Sequence, residues 1–232
     1  MGLTDVGPRI EEDVKTYLEA SERLIQPFRE SDLAGLTADI MNGNGDFSDI
    51  QIPSGTRDVY RLGSFSDGEK DHHAVLKLER NLTDHVGVSF EALFLSKSAG
   101  IKNVQPPSFI MLPRVGLVNG IVMEDISEGG RYSLAELRDR SLPFFGDRDY
   151  FALRGNHLHA LPQIGCLLDF DEGVKMTGRE ETIEGTSFVV YDDEGFKRIV
   201  LADVDQLLKQ FAGFTRIPRS EYEVLNGLVF DL

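Results

Sequence analysis

A lysine set inside an apolar run is the feature of this sequence that is hardest to accommodate. The run is Ala74-Val75-Leu76-Lys77-Leu78-Glu79. Read as a strand, it puts Val75, Lys77 and Glu79 on one face and Ala74, Leu76 and Leu78 on the other, because strand side chains alternate. An ammonium group on a buried sheet face is costly without a counter-charge. Glu91 lies downstream in the helix-like run Phe90-Glu91-Ala92-Leu93-Phe94-Leu95 and is the natural partner. The simpler alternative is a solvated lysine on the outer face of a sheet and a surface carboxylate on a helix.

The flanking segments extend the pattern. Upstream, Ser54-Gly55-Thr56-Arg57-Asp58-Val59-Tyr60-Arg61-Leu62 reads as a turn running into a strand. Downstream, Gly120-Ile121-Val122-Met123-Glu124-Asp125 reads as a buried strand ending in carboxylates. Turn and strand, strand with lysine, helix with glutamate, apolar strand ending in Glu-Asp: this order resembles the small lobe of protein-kinase-like phosphotransferases. It is most similar to the atypical, aminoglycoside-phosphotransferase-like branch. The resemblance covers Gly55 to Asp125 and little of the remainder.

That resemblance implies an α+β, two-lobed kinase-like fold with an antiparallel small-lobe sheet, a reduced helical large lobe and an N-terminal helical extension. The implied boundaries are 1–46 for the extension, 47–126 for the small lobe and 127–232 for the large lobe. It also implies a nucleotide site for ATP and Mg²⁺, because phosphoryl transfer needs positioned cations and little else from the protein. Lys77 would reach the phosphates and Glu91 would hold it in place. Gly55 and Thr56 would cover the phosphates, although only Gly55 and the later Gly63 stand where the family has three spaced glycines. Met123 and Glu124 would form the hinge whose backbone meets adenine.

Further on, Ile199-Val200-Leu201-Ala202-Asp203-Val204-Asp205 resembles the family's metal-binding segment, with Asp203 on Mg²⁺ and Asp205 as a second ligand. Helix N-capping explains an aspartate at that junction equally well. The family's catalytic loop is altered. Counting back from Ser187 puts Thr182 in the position of the catalytic Asp and Ser187 in that of the metal-binding Asn. One step of slippage puts Glu181 and Thr186 there instead. Glu180 or Glu181 is then the nearest group able to take a hydroxyl proton. Two function classes stay open: a pseudokinase-type binding or regulatory module, which the altered loop favours, and an active atypical phosphotransferase acting on a protein or small-molecule hydroxyl.

The rest of the chain sets bounds. A net charge of −15 with no basic cluster argues against nucleic acid and anionic membranes as partners. A strongly charged surface also suits a high-salt cytoplasm. No apolar run reaches the roughly 20 residues of a membrane helix. The first residues lack the basic start and apolar segment of a signal peptide. The single cysteine, Cys166, fits a reducing cytoplasm.

Residues 9–29 read as an amphipathic helix ending at Pro27, followed by a short helix from an N-capping Ser31 to Met41. These helices would pack on the small lobe or engage a protein partner. Strands are expected at 50–53, 59–62 and 74–79, with 63–73, including His72 and His73, as a solvated hairpin loop. Helix is expected over 83–99, and paired strands at 109–112 and 117–123. Ser133 would cap a helix. Longer helices are expected over 149–168 and 206–214, with a loop over 171–186. A hairpin would join 187–191 to 198–202.

Overall fold

The computed structural model describes residues 7–53, 57–78, 87–100, 105–126, 131–133, 187–192, 195–201 and 219–232. The chain divides into two compact units. One comprises Lys15–Leu93, Ser108–Asp125 and Tyr222–Leu232. The other comprises Met1–Val14, Phe94–Pro107 and Ile126–Glu221. The architecture is α+β, and no helix among the described residues is long and apolar enough to cross a membrane.

The chain opens with α1 (Gly7–Arg23), α2 (Ile25–Glu30) and α3 (Asp32–Asn42). The single helix expected over 9–29 is broken at Leu24. Pro27 explains the break, since its ring would clash with the carbonyl four residues earlier, at Arg23, where α1 ends. The proline sits instead in the first turn of α2, where its missing N–H costs nothing. Ser31 caps α3 as expected, its Oγ accepting the Leu33 N–H at 3.3 Å. Gly43 ends α3 in the left-handed region at φ 68°.

The first unit is built on a six-stranded sheet ordered β1-β2-β3-β5-β4-β9. Its strands are β1 (Gln51–Ile52), β2 (Asp58–Ser66), β3 (Asp71–Leu78), β4 (Ile110–Val115), β5 (Val118–Glu124) and β9 (Val229–Asp231). All pairs are antiparallel except β4 with β9. Helix α4 (Val88–Ser98) lies in sequence between β3 and β4. The second unit holds a three-stranded antiparallel sheet of β6 (Arg131–Ser133), β7 (Ser187–Asp192) and β8 (Gly195–Leu201). Ser133 therefore belongs to a strand, opposite Phe188, where the sequence suggested a helix cap. The helices expected over 149–168 and 206–214, and the loop over 171–186, lie outside the described residues.

The two faces of the large sheet follow from its register. Ala74 and Leu76 of β3 look toward the N-terminal helices and join Phe28, Leu33, Ile40 and Met41 in one apolar core with Met111 and Val122. β2 contributes Leu62 and Phe65 to that core, which strict alternation forbids for residues three apart. A bulge between Arg61 and Gly63 inserts one residue and flips the parity. Gly63 adopts φ 106°, a conformation open to glycine and strained for other residues.

The hairpin between β2 and β3 is therefore much tighter than the expected 63–73 loop. His72 and His73 are strand residues. His72 is buried, stacked on Phe65 at 5.2 Å between ring centroids, and its Nε2 lies 2.7 Å from Asp67 Oδ2.

Candidate functional site

The opposite face of the sheet carries Lys77. Register places Val59 and Ile121 directly beside it on the neighbouring strands. Arg61 and Met123 flank Val75, one pair further along the same face. Lys77 is thus ringed by apolar side chains and is only 7% exposed. Its Nζ donates a 2.9 Å hydrogen bond to Glu91 Oε1. Glu91 is fully buried on the first turn of α4, whose Val88, Ala92, Leu93, Phe94 and Leu95 are buried as well. A helix apolar on nearly every side has to be enclosed. That enclosure brings the carboxylate to the ammonium.

Arg57 completes the cluster. It is 3% exposed at the start of β2, and its Nη1 lies 3.3 Å from Glu91 Oε2. One buried carboxylate therefore meets two cations, Lys77 on one oxygen and Arg57 on the other. Burying such charges is favourable only when each is compensated. No role for Arg57 follows from the sequence alone: it lies in a polar turn-like stretch just before β2, and alternation from Val59 puts it on Lys77's face. Its position two residues before Val59, which pairs with Lys77, is the signal that was available.

A second ion pair marks the end of β5. Arg61 Nε donates to Asp125 Oδ2 at 2.8 Å, with Asp125 almost wholly buried and Arg61 half exposed. The Asp125 backbone N–H bonds the His73 carbonyl at 2.8 Å, which ties this end of β5 to β3.

Of the residues singled out in the sequence, Lys77, Glu91 and Met123 share this face. Glu124 does not: it pairs with Ala74 on the opposite face, and its Oε2 accepts the Ser108 N–H at 2.6 Å. Near it lies the Tyr17 hydroxyl of α1, pushed well above its ordinary 10.0 by burial and then by the Glu124 charge. Gly55, Thr56, Glu180, Glu181, Asp203 and Asp205 lie outside the described residues. Ser187 is described as a β7 residue paired with Leu201. Among the described residues, no group of three or more His, Cys, Asp or Glu side chains is arranged to hold a metal ion.

Chemically, the cluster offers a fixed ammonium whose position is set by a carboxylate. Such a group suits electrostatic binding of an anion. Comparison with protein-family models, with curated proteins and with solved structures yields no match.

Proposed function

We propose that the unit carrying the six-stranded sheet acts as the small lobe of a kinase-like, nucleotide-binding module of pseudokinase type. In this reading Lys77 contacts the phosphates of Mg-ATP and Glu91 keeps its amine in place. The observation that carries the reading is the buried 2.9 Å Lys77–Glu91 contact between a central strand and a helix. Its setting adds support. The strands run β1-β2-β3-β5-β4, with α4 following β3 in sequence, the arrangement expected of such a lobe. Sites of this kind use a strand lysine held by a helix glutamate to engage nucleotide phosphates.

The residues present fit the nucleotide in their charge: a buried ammonium is held in a fixed direction by Glu91. Bound Mg²⁺ would neutralise phosphate charge, and Asp203 and Asp205 remain its proposed ligands, with Ser187 as a third. The described residues themselves would bind and orient. Lys77 would supply charge, and Val59, Ile121 and Met123 would exclude water from around it. The end of β5, at Met123 and Glu124, would meet the base, the Asp125 N–H being already bonded to the His73 carbonyl. The altered loop around Glu180 and Glu181 places binding or regulation ahead of turnover.

Isothermal titration with Mg-ATP, with Mg²⁺ alone as control, tests this reading. Binding to the wild type that is lost in Lys77→Met supports it. Equal affinity in both proteins removes Lys77 from the site, and no heat at millimolar Mg-ATP sinks the nucleotide reading. A phosphate-transfer screen on a binding-competent protein then separates a binding module from an active phosphotransferase.

A further inference from the structure

Glu91 divides its two oxygens between two cations from adjacent strands, and the two contacts differ. Lys77 makes a 2.9 Å hydrogen bond to Oε1. Arg57 stands 3.3 Å from Oε2 in an ion pair that lacks hydrogen-bond geometry. A carboxylate on a helix can rotate about its terminal bond, and a single partner fixes it poorly. A guanidinium on the second oxygen fixes the carboxylate plane and so the direction in which the first oxygen faces the lysine. Arg57 is also the residue at which the chain enters β2, so the same contact fastens the start of β2 to α4.

The geometry points to Arg57 as a positioning residue that aims Glu91 at Lys77 and couples phosphate binding at Lys77 to the start of β2 and the first turn of α4. This rests on the nucleotide reading above and deepens it. An anion arriving at Lys77 shares the ammonium with Glu91, which keeps its contact but feels a weaker pull from it. The carboxylate then leans further on Arg57, the looser contact tightens, and the start of β2 is drawn onto the helix. A phosphate-bearing ligand would thus be registered in α4 without touching it. Double occupancy of Glu91 makes this possible; a simple lysine–glutamate pair has no second partner to receive the carboxylate.

The test compares the wild type with Arg57→Met and Arg57→Lys, using Mg-ATP as probe. Affinity comes from calorimetry, and backbone hydrogen exchange over 57–61, 74–78 and 88–93 is read with and without the nucleotide. Arg57→Met keeps the apolar stem and Arg57→Lys keeps the charge. The expected result is that Arg57→Met weakens Mg-ATP binding roughly 5–150-fold, the usual span of coupling between linked groups. It also abolishes ligand-induced protection over 57–61 and 88–93 while leaving that over 74–78. Arg57→Lys restores part of both.

A merely structural arginine would alter exchange equally in the free and bound proteins, without recovery in Arg57→Lys, and leave affinity unchanged. That result, or wild-type affinity and protection in Arg57→Met, overturns the inference. If the wild type binds no Mg-ATP, the nucleotide reading fails separately, and exchange in the free proteins decides Arg57. Faster exchange over 88–93 in Arg57→Met, recovered by Arg57→Lys, supports the positioning role. Unchanged exchange overturns it.

Discussion

At Lys77 and Glu91 the energetics are set by burial. Removing one partner of a buried pair leaves the other charge poorly compensated and costs about 3–5 kcal/mol, whereas replacing the whole pair by apolar side chains of similar volume is often neutral or stabilising. Glu91→Ala should therefore destabilise the protein by about 3–5 kcal/mol in urea unfolding, since it removes a buried carboxylate that both Lys77 and Arg57 contact. Double replacement, Lys77→Met with Glu91→Leu, should cost far less than the sum of the single changes. Additive losses would mean that the two groups do not interact.

Two titrating residues make separate predictions. Asp67 is held well below its ordinary 3.8 by its hydrogen bond to His72 and then by the Lys70 and Glu69 backbone N–H groups. Its folded pKa is depressed, so its contribution is present above about pH 4 and is lost as the pH falls further. Asp67→Asn should flatten the acid limb of the stability curve. Tyr17 behaves in the opposite sense: its folded pKa is raised, so its contribution is whole below pH 10 and declines above it. Tyr17→Phe should flatten the alkaline limb. Unchanged limbs in thermal unfolding across pH would remove these groups from the account.

Among the elements, α2 and α3 are part of the sheet's own core. Phe28 is fully buried and packs edge-on against Phe65 and Phe230, with ring centroids 5.4 and 6.1 Å apart. Phe28→Ala should cost about 3–5 kcal/mol by denaturant unfolding, the usual range for a buried phenylalanine. A cost below 1 kcal/mol would mean that the helices sit loosely on the sheet. Gly63→Ala forces a β-carbon into φ 106°, where it meets Leu33 Cδ2 at an ordinary van der Waals distance of 3.9 Å, so its cost of about 1–2 kcal/mol would come from backbone strain and not from a clash.

Elements governed by local periodicity were legible in the sequence. Alternation assigned the two faces of β3, and Ser31 announced the start of α3. The β2 bulge was not legible, because one extra residue, Leu62 between the paired Arg61 and Gly63, reverses parity without altering composition. His72 was misplaced for that reason: its burial depends on Phe65, which the bulge turns inward. The parallel pairing of β9 with β4 joins Leu112 to Val229, a distant contact that no local pattern announces. For the site, the Lys77–Glu91 pair was readable from an ammonium that needed a partner. Arg57 was not, since its signal, a place two residues before Val59, has meaning only once the register of Val59 against Lys77 is known.

Over the whole molecule, the acidic balance and the buried cation belong together. A net charge of −15 disfavours anions at the general surface. An anion site must then be built locally, with apolar walls that strengthen the field of a fixed ammonium. On the proposed reading, the face of the large sheet around Lys77 would meet that requirement, while the opposite face packs α2 and α3. Division of labour between faces is what allows a small sheet to keep a polar cluster buried without losing its core.

Thermal unfolding of the wild type and of Lys77→Met, each with and without Mg-ATP, tests the central claim most directly. A ligand at about 100 times its dissociation constant adds roughly 2.7 kcal/mol, about 5–10 °C for a chain of this size. The account predicts such a shift for the wild type and none for Lys77→Met, which should unfold below the wild-type temperature without ligand because it removes one partner of the buried Glu91 carboxylate. Equal shifts in the two proteins, or none in the wild type at millimolar Mg-ATP, would contradict it.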